Sequence, residues 1–254
     1  MKFKVIKNGS SKQMLELTGS TGIWNDATLT AFLGKTDRGW PEKFKKVDGV
    51  YFQWSEGATH FAGFAALPNI KRLWGVGGAF QSLEGLEACT QVELASFPSS
   101  DKISVTTLAP IATMTKLQKL AIRGFKQLKN IDALAKLTSL RVLSAGYVDK
   151  MKSLEPIGAA KNLEAISLYG ADLTKLPLAP LAGLEKLRYL DLTCRGLKDL
   201  TPLAKLPKLE TIRVYGWEET DLKKMKGYAD VKAKLANGAN GVADYDDSVF
   251  ECDT

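Results

Sequence analysis

Between residues 44 and 217 the apolar positions recur every third residue, tighten to every second, and then start again. The clearest instance is Leu117-x-x-Leu120-x-Ile122. The same shape returns at Val47-Val50-Phe52 (behind Phe44), Ile70-Leu73-Gly75, Cys89-Val92-Leu94, Leu140-Leu143-Ala145, Leu163-Ile166-Leu168, Leu187-Leu190-Leu192 and Leu209-Ile212-Val214. The middle residues fall at 50, 73, 92, 120, 143, 166, 190 and 212, in steps of 23, 19, 28, 23, 23, 24 and 22. A short step beside a long one predicts one compressed repeat followed by one with an insertion near Pro98–Ser104.

A second register agrees. Pro110-Ile111, Ala133-Leu134, Pro156-Ile157, Pro180-Leu181 and Pro202-Leu203 are spaced 23, 23, 24 and 22 residues apart. Proline suits the first turn of a helical segment, where its missing N–H leaves nothing unpaired. Each unit therefore reads as a short strand, a turn and a short helical or 3₁₀ return. The alternation within the strand buries its first and third residues and turns the second outward.

The pattern resembles the leucine-rich repeat superfamily, and "LAPLAGLEKLRYLDL" and "LTPLAKLPKLETIRV" are similar to the bacterial internalin-type subclass. The resemblance implies an α/β solenoid: a horseshoe or arc of about eight repeats, with one parallel β-sheet on its concave face. One departure stands out. Such repeats place asparagine five residues after the strand anchor, whereas here that column reads Ser55, Gly78, Phe97, Phe125, Val148, Ala171, Arg195 and Trp217. Apolar packing at Phe97, Phe125 and Val148 is expected to replace part of the missing amide ladder.

No single unit can bury its leucines, so stacked units share a core whose ends need covers. Residues 1–43 are expected to form the first cover, residues 44–217 the repeats, 218–243 a helical cover and 244–254 an acidic tail, all within one domain. In the first cover, Phe3-Lys4-Val5 and Leu15-Glu16-Leu17 flank Asn8-Gly9-Ser10-Ser11 as a hairpin. A short helix follows, capped by Asn25 or Asp26. In the second, Asp221 caps one helix that carries Leu222, Met225, Val231 and Leu235 and stops at Gly238.

The 254 residues are 45% hydrophobic and 25% charged, which excludes collagenous and wholly disordered classes. No run reaches the ~18 apolar residues of a spanning helix. The N-terminus lacks an apolar signal region, so a cytoplasmic location is expected, with signal-independent export left open. Cys89, Cys194 and Cys252 form neither a CxxC nor a Cys/His cluster, which argues against disulfides and zinc and suits a reducing compartment. The net charge is +7; residues 244–254 carry five acids and no base, leaving the rest at +12. Nucleic acid or an acidic partner would follow only from clustering of that charge, and no basic stripe is visible.

Candidate chemistry is sparse. His60 is the single histidine and has no triad context. Cys89 sits in a leucine column, and Cys194 is expected near the end of the exposed strand face. Gly75-Val76-Gly77-Gly78 lacks the Gly-Lys-Ser/Thr of a phosphate loop and reads as a crowded turn. No catalytic residue, metal ligand or cofactor is assigned.

The outward positions are more informative. The central column reads Tyr51, Trp74, Glu93, Ala121, Ser144, Ser167, Asp191 and Arg213; the next reads Gln53, Val76, Ala95, Arg123, Gly146, Tyr169, Thr193 and Tyr215. Aromatics recur where solvent is expected while leucine fills the core columns. Exposed aromatics and arginine are rich sources of binding energy. Tyr51, Trp54, Trp74, Arg123, Tyr147, Tyr169, Arg213 and Tyr215 are therefore the candidate partner-binding residues of a non-enzymatic protein-interaction module. An inhibitor or immunity protein against a toxin or effector is the second reading. An enzyme or catalytic effector is the rival class, although the flanks are too short for a typical separate catalytic domain.

Overall fold

The computed structural model describes residues 2–7, 13–18, 47–53, 60–61, 64, 67, 69–76, 78–97, 99–214 and 219–236. Among the described residues eleven strands form one open sheet in strict chain order. Strands β1 (Lys2–Lys7) and β2 (Gln13–Thr18) pair antiparallel. From β2 onward every pairing is parallel. The next strands are β3 (Val47–Gln53), β4 (Arg72–Val76), β5 (Leu94–Ser96), β6 (Lys119–Ala121) and β7 (Val142–Ser144). The series closes with β8 (Ala165–Ser167), β9 (Tyr189–Asp191), β10 (Thr211–Arg213) and β11 (Leu235–Ala236).

The every-third periodicity has a direct cause. The amides of Leu134, Leu137 and Leu140 donate to the carbonyls of Ile131, Leu134 and Leu137. The same chain of three-residue bonds recurs at Ile111-Met114-Leu117 and Leu181-Leu184-Leu187. In 3₁₀ geometry residues three apart eclipse, so a triplet of leucines faces one side. The returns include 3₁₀ segments at Ala109–Thr113, Asp132–Lys136 and Ala179–Gly183 and short α-turns at Glu155–Ala159 and Thr201–Ala204. Pro110, Pro156, Pro180 and Pro202 all stand in first turns, as their spacing predicts.

The third repeat differs from the expected register. β5 pairs Ala95 with Leu73 on one side and Leu120 on the other. The anchor is thus Ala95, and Val92 holds the place of Leu117 one triplet earlier. Cys89-x-x-Val92-x-Leu94 imitates the motif, but Phe97 and Ala95 are the buried strand residues and Leu94 is only half-buried. The repeat steps are then 22 and 25, so the compressed unit disappears and the insertion shrinks. Phe97 consequently leaves the asparagine column and joins a chain of edge-to-face and tilted phenylalanines with Phe61, Phe80 and Phe125. Phe125, Val148 and Ala171, which do lie in that column, are fully buried.

The C-terminal segment is not one helix. Helices cover Glu219–Lys223 and Tyr228–Val231, a 3₁₀ turn covers Lys232–Lys234, and β11 then joins the sheet. Gly227 breaks the helix with φ +78°, and a Cβ there would come 2.4 Å from the Thr201 amide. Leu222, Met225 and Val231 are buried on the last repeat. The expected helix at 26–29, the stop at Gly238 and the tail at 244–254 lie outside the described residues.

Candidate partner-binding face

The central outward column is a continuous ladder across the open side of the sheet. Tyr51 pairs in register with Trp74, Trp74 with Ser96, Ser96 with Ala121 and Ala121 with Ser144. Ser144 continues to Ser167, then Asp191, then Arg213. Ser96 therefore takes the place expected for Glu93, and Leu94 lies beside it. The middle of this column is not solvent-exposed as predicted: Ser144, Ser167 and Asp191 are only 0%, 2% and 4% accessible.

Larger neighbours on adjacent columns cover them. Arg123 lies over Ser144 and donates from Nε to its Oγ at 2.7 Å. The Ser167 hydroxyl donates to Asp191 Oδ2 at 3.2 Å, and the Thr193 amide to Oδ1 at 2.9 Å. Buried polar groups are tolerable when partnered in this way. On the other flank Val142 and Ala165 form a small apolar cluster with Tyr189, which packs under the Arg188 guanidinium at 5.2 Å.

Two aromatic pairs remain accessible. Tyr51 and Trp74 meet edge-to-face with ring centroids 5.1 Å apart at 67°. Tyr147 and Tyr169 do the same at 5.2 Å and 77°. Tyr147 and Tyr169 are also the exposed large hydrophobic side chains among the described residues, 43% and 38% accessible. The Tyr169 hydroxyl beside it, then partial burial, raises the Tyr147 phenol above its ordinary range.

The backbone at Tyr147 is unusual. Its φ is +56°, the single positive value outside glycine among the described residues. The equivalent positions one repeat before and after are Gly124 and Gly170, with φ +78° and +71°. An L-residue in this conformation costs roughly 1–2 kcal/mol. The Tyr147 amide donates to the Tyr169 carbonyl at 2.7 Å, holding the turn in the sheet's hydrogen-bond ladder. Gly170 leaves room for the Tyr147 ring, which would lie 2.5 Å from any Cβ placed there. A Cβ placed at Gly146 would lie 3.6 Å from Tyr169 Cβ and 3.7 Å from Arg123 Cγ, so this glycine sits between the pair and Arg123.

The candidate residues thus divide. Arg123, Tyr147 and Tyr169 come together; Tyr51 and Trp74 form a second group; Arg213 stands apart, on β10. Trp54 and Tyr215 lie outside the described residues. Sequence reading missed the Ser144–Ser167–Asp191 row, whose signal was a run of small and polar residues in one outward column. It also missed an alternating charge row at the strand entrances. There Arg141 grips Glu164 bidentately at 2.9 and 2.8 Å, and Arg188 grips Glu210 at 2.8 and 3.0 Å.

Among the described residues the thiols, Cys89 and Cys194, offer no activated nucleophile. Burial pushes Cys89 and Cys194 up to about 12, with nearby carboxylates adding to the effect. Cys194 is buried in the core, not on the exposed face as expected, because the turn after β9 points it inward. Gly75 has a packing reason, since a Cβ there would strike the Phe52 ring at 2.2 Å. Among the described residues no three His, Cys, Asp or Glu side chains cluster as metal ligands, and no helix is long and apolar enough to cross a membrane.

No protein-family model matches the sequence, and no curated protein matches it. The fold does match solved structures. Internalin C2 from Listeria monocytogenes superposes with a TM-score of 0.57 at 20% identity, over 77% of this chain and 83% of that one. A second internalin from Listeria monocytogenes, InlF, superposes with a TM-score of 0.54 at 18% identity, over 82% of this chain and 73% of that one. The fold is the leucine-rich-repeat solenoid of the internalins: an arc of parallel strands with short helical and 3₁₀ returns.

Proposed function

We propose that this chain is a non-enzymatic module that binds a protein partner on the concave face of its sheet. Tyr147 carries the reading. A large aromatic occupies a left-handed turn position that its neighbouring repeats give to glycine, and its ring is exposed. Strain of this kind persists where it serves something beyond folding. Tyr51, Trp74, Arg123 and Tyr169 extend the surface, and Arg213, Trp54 and Tyr215 complete the candidate set. Consecutive strands lie about 4.8 Å apart, so the seven gaps from β3 to β10 span roughly 34 Å, enough for a standard interface. An intracellular bacterial protein is the expected setting.

The test is affinity capture with the wild-type chain and with Trp74→Ala and Tyr169→Ala. Each substitution is expected to weaken binding of the captured partner by about 1–3 kcal/mol without lowering the thermal midpoint appreciably. Lysine changes on the returns should have little effect. A partner lost through those lysines and retained by the aromatic variants would move the interface to another surface.

A further inference from the structure

The turns that follow β8 and β9 differ in length. From strand anchor to the head of the return, the chain takes 13 residues in each of the two preceding repeats (Leu120 to Ala133, Leu143 to Pro156). It then takes 14 (Ile166 to Pro180) and 12 (Leu190 to Pro202), so a long turn is stacked on a short one. The two pair at Asp172 and Arg195, where the Arg195 amide donates to the Ala171 carbonyl and the Leu173 amide to the Arg195 carbonyl. Gly196 allows close approach, since a Cβ there would lie 2.2 Å from Thr174 Oγ1. The position held by Thr107, Asn130, Ser153 and Asp199 in other repeats is Pro177 here, which has no side-chain oxygen to accept an amide. Between the two turns and the heads of their returns lies a cavity of about 360 Å³.

The cavity is walled by leucine edges in a region otherwise closed. Leu173, Leu176, Leu178 and Leu197 line it and retain 3%, 9%, 3% and 6% accessibility, whereas Leu181, Leu184, Leu187 and Leu190 of the same repeats have none. Three charged residues also line it: Lys175, Lys198 and Asp199. The Asp199 carboxylate is already taken, by the Thr201 amide at 2.8 Å and by Lys226 at 3.0 Å. Asp172 is taken as well. It accepts the Thr174 amide at 3.0 Å, and hydrogen bonds from Thr174, with Arg195 and Lys175 adding to them, hold its carboxyl below the ordinary range. Lys175 and Lys198 are exposed, and neither ammonium is in a hydrogen bond or ion pair among the described residues. The charge left to be met at the cavity is positive.

We propose that this cavity is a binding site for a small organic anion with a compact apolar body, such as an aromatic carboxylate, its rings against the four leucine edges and its acid group at Lys175 and Lys198. The volume falls within the range of small-molecule sites, about 300–1,000 Å³, in which apolar walls provide affinity and a few polar groups fix orientation. Lysine ammoniums are compact charges on flexible stems, so they can close on an acid group without a preset fork geometry. None of the candidate partner-binding residues lines the cavity, so the site is separate from the concave face.

Titration of the full chain with naphthalene-2-carboxylate, followed through the leucine methyl resonances, tests this. The shifts should saturate with a Kd below about 1 mM and centre on Leu173, Leu176, Leu178 and Leu197. The neutral carboxamide of the same ring system should bind about fivefold more weakly. Lys175→Gln combined with Lys198→Gln should weaken the carboxylate about fivefold and leave the carboxamide unchanged. Both lysines are exposed, so the thermal midpoint should not move. Ala179→Trp, at an exposed position of the lining, should fill the opening and exclude both probes.

Equal affinity for carboxylate and carboxamide, or carboxylate binding that survives the double lysine substitution, overturns the anion site. Saturable shifts that bypass the four leucines, or no saturable shift at all, overturn the cavity as a ligand site.

Discussion

At the scale of single residues, Tyr147 separates what the fold needs from what the surface does. Gly124 and Gly170 show that the turn itself asks for a left-handed residue and nothing larger. The conformational cost of tyrosine there, roughly 1–2 kcal/mol, is offset in part by its edge-to-face contact with Tyr169, about 0.5–1.5 kcal/mol. Tyr147→Gly is therefore expected to change the unfolding free energy by less than about 1 kcal/mol, measured by urea denaturation. A loss of several kcal/mol would mean that the ring is part of the packing and not a surface device.

At the scale of elements, the junctions are held by short polar devices. Thr107, Asn130, Ser153 and Asp199 each accept the amide two residues ahead, at 3.1, 3.0, 3.0 and 2.8 Å, and so fix the entry to the next return. Asp199 is the ionisable one of the four. Hydrogen bonds from Thr201, then from Lys226 at 3.0 Å, lower it from 3.8 to about 2. A carboxylate depressed on folding contributes stability that is complete above its unfolded value and disappears as pH falls through its folded one. Asp199→Asn should accordingly lower the thermal midpoint at pH 7, and the difference from wild type should shrink between about pH 4 and pH 2. A gap independent of pH would remove the carboxylate from the account. The same junction connects the last repeat to the C-terminal helices. Deleting residues 221–254 should uncover Ile212 and Val214, both fully buried, and light scattering should then report aggregation. A truncated chain that stays monomeric and equally stable would show that these helices are not a cover.

Across the described residues the main core is one unbroken cluster running from Val50 to Val231, shared by all the repeats. Leu143 and Leu190 lie in its centre with no accessible surface. Replacing either by Ala should cost about 2–5 kcal/mol, because the stacked strands on both sides limit collapse of the cavity. Chemical denaturation of the two variants measures this, and an unchanged midpoint would contradict the register. The exposed ion pairs, including Arg141–Glu164 and Arg188–Glu210, belong to a different order of magnitude. Pairs of this exposure are each worth about 0–1 kcal/mol and align neighbouring repeats more than they stabilise them.

The repeat itself was legible in the amino-acid sequence because two periods, three in the returns and two in the strands, dictate which leucines share a side. From these came the parallel sheet, the solenoid and the proline-headed returns. The third repeat escaped because Cys89, Val92 and Leu94 satisfy the same local pattern as Val92, Ala95 and Phe97, and only pairing with β4 and β6 distinguishes them. The break at Gly227 and the return of β11 to the sheet were likewise hidden, since a continuous amphipathic pattern does not reveal that Thr201 occupies the space a side chain at Gly227 would need. Outward direction was readable, but exposure was not. Alternation says which way Ser144, Ser167 and Asp191 point; that they are shut off from water depends on neighbours the pattern does not show, such as Arg123 on Ser144 and Asp191 on Ser167 from adjacent repeats. The pairing of Tyr147 with Tyr169 lay beyond reach for the same reason: residues 22 apart meet only when consecutive repeats stack.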